Sequence, residues 1–363
     1  GLTIATFSVA AIVARPLIGR AADRYGRRIV ITSGAVLAGT CGVLSGHVTA
    51  LWMLLVLRAF TGVGEAAVFV GAATLIADLS PRDRRAEGAS YFSVAVFGGI
   101  GIGPILGEWL LDDTHFQRAF LVAGLFAGVA AIVSLFAPAR VATPDDLLDP
   151  DDAPVPTGLD RWIHRGAVMP GLVLACGVAA FASYGAFLPE YSREIGLGSS
   201  GGLFAVYSLM SLVVRLVGAK LPERLGPRRA VTLALSNIMA GMAILALIPD
   251  VPALWAASAL MGLGVAFNYP SLMALSVNRA SDRDRAKVVS SLTMFFEIGS
   301  AAGGLIIGAL AQVVGKQYGF LGGVASCLLG LWILRVKVVP ADAPDAGPVL
   351  AHPTPAYAPV AGN

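Results

Sequence analysis

"GRAADRYGRR", Gly19–Arg28, packs one acid and four arginines into ten residues, while its flanks, Gly1–Ile18 and Ile29–Ala38, hold a single charge, Arg15. Charge confined to a short turn between two long apolar runs marks a loop kept in water between segments that are not. The rest of the chain repeats the pattern. Of 363 residues, 56% are hydrophobic and only 13% are Asp, Glu, Lys or Arg, where a soluble domain carries about 25% charged residues. Forty-three glycines point the same way, because glycine is commoner in membrane helices than in soluble ones. A very hydrophobic soluble helical protein is excluded, since the apolar runs recur at about the 20 residues that cross a bilayer. The fold class is an all-α integral membrane protein.

Cys41, Cys176 and Cys327 lie in separate apolar segments, and the four histidines are scattered. Neither a disulfide framework nor a metal site is expected. No nucleophile constellation or phosphate-binding loop is visible, so no enzyme is expected.

Eleven apolar helices are predicted: 2–19, 29–47, 51–76, 87–109, 117–137, 167–190, 200–219, 229–248, 252–275, 287–312 and 318–337. The connections are short except Ala139–Gly166, whose "TPDDLLDPDDAPVPTG" is acidic and proline-rich and reads as a flexible linker. The Pro- and Ala-rich tail, 340–363, reads as disordered. The chain therefore divides into an N-terminal bundle (1–138), a linker (139–166), a C-terminal bundle (167–339) and a tail. If Gly19–Arg28 is cytoplasmic, the 26 Lys and Arg residues divide 20 inside to 3 outside, with Arg15, Arg58 and Arg215 in the spans. That bias sets the orientation, with linker and tail in the cytoplasm.

The two bundles repeat each other at an offset near 200. Arg15 matches Arg215, "DRYGRR" at Asp23–Arg28 matches "ERLGPR" at Glu223–Arg228, and Gly62–Gly64 matches Gly262–Gly264. With one residue inserted, Asp83–Arg84 matches Asp284–Arg285, and Gly103 and Gly107 match Gly304 and Gly308. The second half has six spans and the first has five. A helix preceding Gly1 would complete a twelve-span pattern; a protein of eleven spans with its N-terminus outside is the alternative. Parallel repeats suit two bundles that rock about a central site; a channel filter is not visible.

These motifs resemble the major facilitator superfamily of secondary transporters. Gly19, Asp23, Arg24, Gly26, Arg27 and Arg28 resemble the family signature between its second and third helices. Gly218 through Arg229 resembles the degenerate second copy, departing by Glu223 in place of Asp and by one extra residue of spacing. Arg58-x-x-x-Gly62-x-Gly64 resembles the family's fourth-helix motif, and Gly99-x-x-x-Gly103-Pro104-x-x-Gly107 its antiporter motif in the fifth. The resemblance covers residues 1–337. It implies a two-bundle transporter and favours export of a drug or metabolite. It also implies that Asp23 engages Asp78 and the segment near Lys287–Ser290, forming a latch between the halves that opens as they rock. A topology signal alone would explain the arginines but not Asp23 or the glycines.

Charges within the spans are expensive and are expected to face the cavity. Glu65 lies near mid-membrane, and Arg58, seven residues earlier, shares its face; the pair either handles protons and substrate or is a static ion pair. Glu297 has no basic residue within a turn of its own helix; it is a second proton or substrate group, or interhelical glue. Glu108 and Glu190 are expected at a wet rim. Arg15 and Arg215 are expected to snorkel to the inner interface as anchors. Tyr184, Tyr207, Asn237, Asn268 and Tyr269 are candidate substrate contacts, or interhelical hydrogen bonds. Gly99, Gly103, Pro104 and Gly107, with Gly303, Gly304 and Gly308, are expected to pack the halves closely.

The leading functional expectation is proton-coupled efflux of a small organic compound by alternating access. The alternative is uptake or facilitated diffusion of a sugar, organic acid or other nutrient. The expected partners are that solute and the lipid bilayer, with no nucleic acid, no cofactor, protons as the coupling ion and a single chain as the working unit in the cell membrane.

Overall fold

In the computed structural model, residues 1–80, 85–110, 116–138, 163–217, 225–277 and 285–338 are described. They form eleven helical rods. The first half holds α1 (Leu2–Tyr25), α2 (Arg27–Ser45), α3 (Leu51–Leu79), α4 (Arg85–Leu110) and α5 (Phe116–Ser134). The second holds α6 (Arg165–Glu194), α7 (Gly201–Val217), α8 (Pro227–Leu247) and α9 (Val251–Val277). It continues with α10, Arg285–Ala302, which passes through a π-helical turn at Gly303–Ile307 into Gly308–Val314. Last comes α11, Lys316–Ile333, with a π-helical end at Leu334–Val338.

Against the eleven spans expected, nine helices among the described residues are long and apolar enough to cross a membrane. α7 offers a shorter apolar stretch, Gly201–Val214. α4 and α7, which fall outside the nine, both border residues outside the description. The structure is thus that of a multi-pass membrane protein. Large apolar side chains such as Leu17, Trp109, Phe136 and Val313 stand on the surface, exposed by 62–86%. In water such a surface would be an association hazard; in hydrocarbon it is the solvent-facing side.

Within the first half, α1 and α2 pack on α3, and α2 on α5. Within the second, α9 packs on α7 and α8, and α6 and α8 on α11. The halves meet along α1 with α10 and α4 with α7. The duplication is visible in the backbone. Gly26 (φ 93°) turns α1 into α2, and Gly226 (φ 78°) leads into α8. A side chain is strained at such angles, so glycine is required twice. A Cβ on Gly62 would strike the Phe7 carbonyl, and one on Gly262 the Tyr207 carbonyl. A Cβ on Gly64 would lie 2.7 Å from Gly34 O, and one on Gly264 2.7 Å from Ala234 O. Each pair repeats 200 residues on, so α1–α3 packing is rebuilt as α7–α9 packing.

Two expectations about elements need correction. α1 runs to Tyr25, not to residue 19, which moves Arg15 away from the helix end. α6 begins at Arg165, so the last two residues of the expected linker are helical. Linker residues 139–162, the tail, Gly218 and Glu223 lie outside the described residues.

Candidate functional site

Arg15 lies thirteen residues from the start of α1 and ten from its end, about 20 Å and 15 Å along the axis. A guanidinium this far from either end cannot reach water along the helix. It is 7% exposed and turns inward. Its Nη2 donates to Glu297 Oε1 at 3.0 Å, and lies 3.8 Å from Glu65 Oε2. Its guanidinium also sits over the Phe69 ring, 5.1 Å from the centroid. The expectation that Arg15 anchors the inner interface is overturned by these contacts. The cause is the length of α1, which continues about four-tenths of its course beyond Arg15.

Glu297 comes from the second half, near the middle of α10, and is 5% exposed. Besides Arg15 it accepts a hydrogen bond from the Ser8 hydroxyl on α1. Two groups of the first half therefore hold one carboxylate of the second. The sequence shows no base within a turn of Glu297; the base comes across the interface, 282 residues away. Glu65 sits fourteen residues from either end of α3, about 21 Å each way. Its side chain is 35% exposed, yet its buried Oε2 receives no hydrogen bond among the described residues.

Arg58 does not join Glu65. Its guanidinium lies over Phe120 of α5, 5.9 Å from the ring centroid, and its Nε finds no acceptor among the described residues. Seven residues do place the two on one face, but they are about 10 Å apart along the axis, and Arg15 is nearer to the acid. Charge at the centre is thus one cation between two carboxylates.

Tyr269 and Asn268 of α9 lie close by. The side chains of Tyr269 and Thr293 are hydrogen-bonded. Asn268, Tyr269, Phe181 and Phe296 line a cavity of about 20 Å³, enough for a single water. Asn268 Oδ1 is buried there without a donor among the described residues. Tyr207 stacks on Phe181, with centroids 5.5 Å apart. Tyr184 is wholly buried and donates its hydroxyl to Ser258 Oγ at 2.9 Å. Asn237 donates to Leu233 O of its own helix at 2.8 Å. Tyr184 is therefore a core contact, and Asn237 bonds within its own helix.

At the charged turn, Arg27 bridges Asp23 Oδ1 at 2.6 Å and Asp78 Oδ2 at 3.2 Å. Arg27 thus ties α1, α2 and α3 to one another within the first half. The side chains of Lys287 and Ser290 lie outside the described residues, as do those of Pro104, Glu108 and Arg215. Among the described residues, a Cβ on Gly99, Gly103 or Gly107 would meet nothing within 4 Å. Among those residues the strip of α4 lacks the close neighbours expected of it. On α10, a Cβ on Gly303 would be 2.9 Å from Ala179 Cα, on α6 of the same half, and one on Gly304 2.7 Å from Gly1 O, across the seam. Gly308 is looser, at 3.7 Å from Gly1 Cα.

At the far end of the second half, Lys316 bonds Glu194 at 2.5 Å and pairs with Glu190. A cavity of about 560 Å³ opens there beside Tyr191, Glu194, Lys316 and Tyr318. It lies away from Arg15. No group of three or more metal-ligating side chains occurs among the described residues, and all three cysteines are free.

The family model of the Major Facilitator Superfamily matches residues 1–255 and again 229–359. The chain belongs to the Major Facilitator Superfamily. This places it among secondary transporters of small molecules, not enzymes. It is 23% identical over 319 residues to an uncharacterized MFS-type transporter of Methanocaldococcus jannaschii, covering 87% of this chain and 82% of that one. A 25% identical MFS-type transporter of Salmonella typhimurium matches 93% of this chain and 86% of its own. Multidrug resistance protein 1 of Bacillus subtilis is 32% identical over 135 residues, 37% of this chain and 34% of that protein. Among solved structures, the human organic anion transporter MFSD10 superposes with a TM-score of 0.69 at 22% identity, covering 92% of this chain and 83% of that one. Its likeness concerns the fold.

Proposed function

We propose that this superfamily member exports a small organic compound in exchange for protons, by alternating access of its two halves around Arg15, Glu65 and Glu297. The observation that carries the reading is the imbalance at the centre. Two carboxylates face one guanidinium, and Glu65 Oε2 is buried without a hydrogen-bond donor among the described residues. A buried carboxylate left uncompensated is costly, and a proton or the cationic group of a cargo relieves it. Glu65 then carries the exchangeable site, and Tyr207, Asn268 and Tyr269 contact the cargo. The local similarity to a multidrug resistance protein supports export.

On this reading all eleven helices cross the bilayer of the cell membrane as a single working chain. Gly19–Arg28, the linker and the tail face the cytoplasm, following the Lys and Arg bias. The experiment is a pH-gradient assay in proteoliposomes with an acidic lumen. Organic cations, organic anions and sugars are added in turn, and lumenal pH is followed by a trapped dye. At least one organic compound should discharge the gradient with the wild type and fail to do so with Glu65→Gln. Uptake of a sugar or organic acid with no proton movement would establish the nutrient reading instead.

A further inference from the structure

We propose that Arg15 is the positioning residue that converts neutralisation of Glu65 into a bond between the two halves. This rests on the reading of Glu65 as the exchangeable site and adds how its charge reaches the moving parts.

Arg15 and Glu65 belong to the same half, on α1 and α3, and Glu297 belongs to the other, on α10. The Arg15–Glu297 bond therefore crosses the boundary along which α1 and α10 pack, and the Arg15–Glu65 contact does not. Both acids address the same nitrogen, Nη2, at 3.0 Å and 3.8 Å. Nη2 carries two hydrogens, but only Glu297 lies within bonding distance; shortening the Glu65 contact requires the guanidinium to shift toward α3 and away from Glu297, so the two compete. When Glu65 is neutral, Arg15 has one partner, Glu297, and the halves are pinned. When Glu65 is charged, it draws Arg15 back into the first half and the pin weakens. Only a differential interaction of this kind shifts an equilibrium between two arrangements of a protein.

The order of events follows from what each acid already holds. Glu297 already has two donors, the Arg15 guanidinium and the Ser8 hydroxyl, and both favour its charged form. Glu65 Oε2 has no donor among the described residues, and its side chain is partly open. A proton or a cationic cargo group goes to Glu65 first. The other described groups that face Arg15 do not disturb the competition at ordinary pH. Tyr269 of α9 is a phenol bonded to Thr293, Phe69 offers only its ring, and the one cation of α3, Arg58, is turned to Phe120.

The test reads the distance between the halves without any substrate, using protons alone as the probe. Thr49, in the turn between α2 and α3, and Ile248, in the turn between α8 and α9, are changed to cysteine and spin-labelled. Cys41, Cys176 and Cys327 are replaced by alanine. Distance distributions are measured in lipid nanodiscs from pH 5 to pH 9. Wild type should move toward one narrow distance as pH falls. Glu65→Gln should hold that distance at every pH. Glu297→Gln should lose it at every pH, and Arg15→Gln should lose the pH response while Arg15→Lys retains it. A merely structural arginine would not move the pH profile. A Glu65→Gln variant with the wild-type pH response overturns the proposal, as does a Glu297→Gln variant with the wild-type distribution. The two readings fail separately. Proton exchange abolished in Glu65→Gln with its distances still following pH sinks the Arg15 mechanism alone. Proton exchange intact in Glu65→Gln sinks the assignment of Glu65 as the exchangeable site.

Discussion

At the scale of single residues, the Arg15–Glu297 pair is better read as a conformational device than as a source of stability. Taking two charges out of water costs more than their attraction reliably returns, whereas removing one partner strands the other. Arg15→Met and Glu297→Met should therefore each lower stability, by about 3–5 kcal/mol for an uncompensated buried charge. The double variant should recover most of the loss. Thermal unfolding in one detergent, run as a double-mutant cycle, checks this; strictly additive losses would mean that the two groups do not act as a pair. Asp23 makes the contrast. Its side chain is 73% exposed, so Asp23→Asn should change stability by about 1 kcal/mol or less. The sequence exposed the mid-helix acids, because charge in an apolar run is conspicuous. It concealed their partner, because hydropathy sees only neighbours along one helix. Arg15 had a signal in its repeat partner Arg215, but the span ending at residue 19 placed it too near water. The actual end at Tyr25 reverses that placement.

At the scale of elements, the turns were legible and the glycine strip was not. Gly26 at φ 93°, ψ 151° occupies a region that only glycine enters without strain. Its short turn between apolar runs announced that conformation in the sequence. Gly26→Ala should lower stability by about 1–3 kcal/mol, and Gly226→Ala, at φ 78°, should do the same. Gly99→Ala and Gly103→Ala meet nothing within 4 Å among the described residues and should leave the unfolding temperature unchanged or slightly higher, because alanine favours helix. Thermal unfolding of the four variants side by side separates the two kinds of glycine. Equal losses at all four would mean that α4 is packed in the working protein. Spacing identified both sets as small, and it could not say whether a small residue serves a turn, a crossing or an open face.

At the scale of the whole molecule, the duplication was legible because it is written along the chain. The seam between its halves was not. Apolar helices in hydrocarbon are similar all round, so periodicity does not reveal which neighbour each face meets. The seam is set by small residues where α10 crosses α1. There a Cβ on Gly304 would lie 2.7 Å from Gly1 O and 3.4 Å from Ala5 N. The backbone cannot yield locally, so the helices must separate. The crossing and the Arg15–Glu297 bond lie on the same two helices, seven residues apart on α10, or about 10 Å. A wedge at one should loosen the other. Gly304→Leu should therefore give the distance distribution of Glu297→Gln with every charge intact. Gly308→Ala, whose Cβ would be an ordinary 3.7 Å from Gly1 Cα, should behave as wild type. The Thr49 and Ile248 spin labels report both variants across the same pH series. If Gly304→Leu kept the narrow low-pH distance, the crossing of α1 and α10 would not be the contact that holds the halves together. The Arg15–Glu297 bond and the α4–α7 contact would then have to hold them.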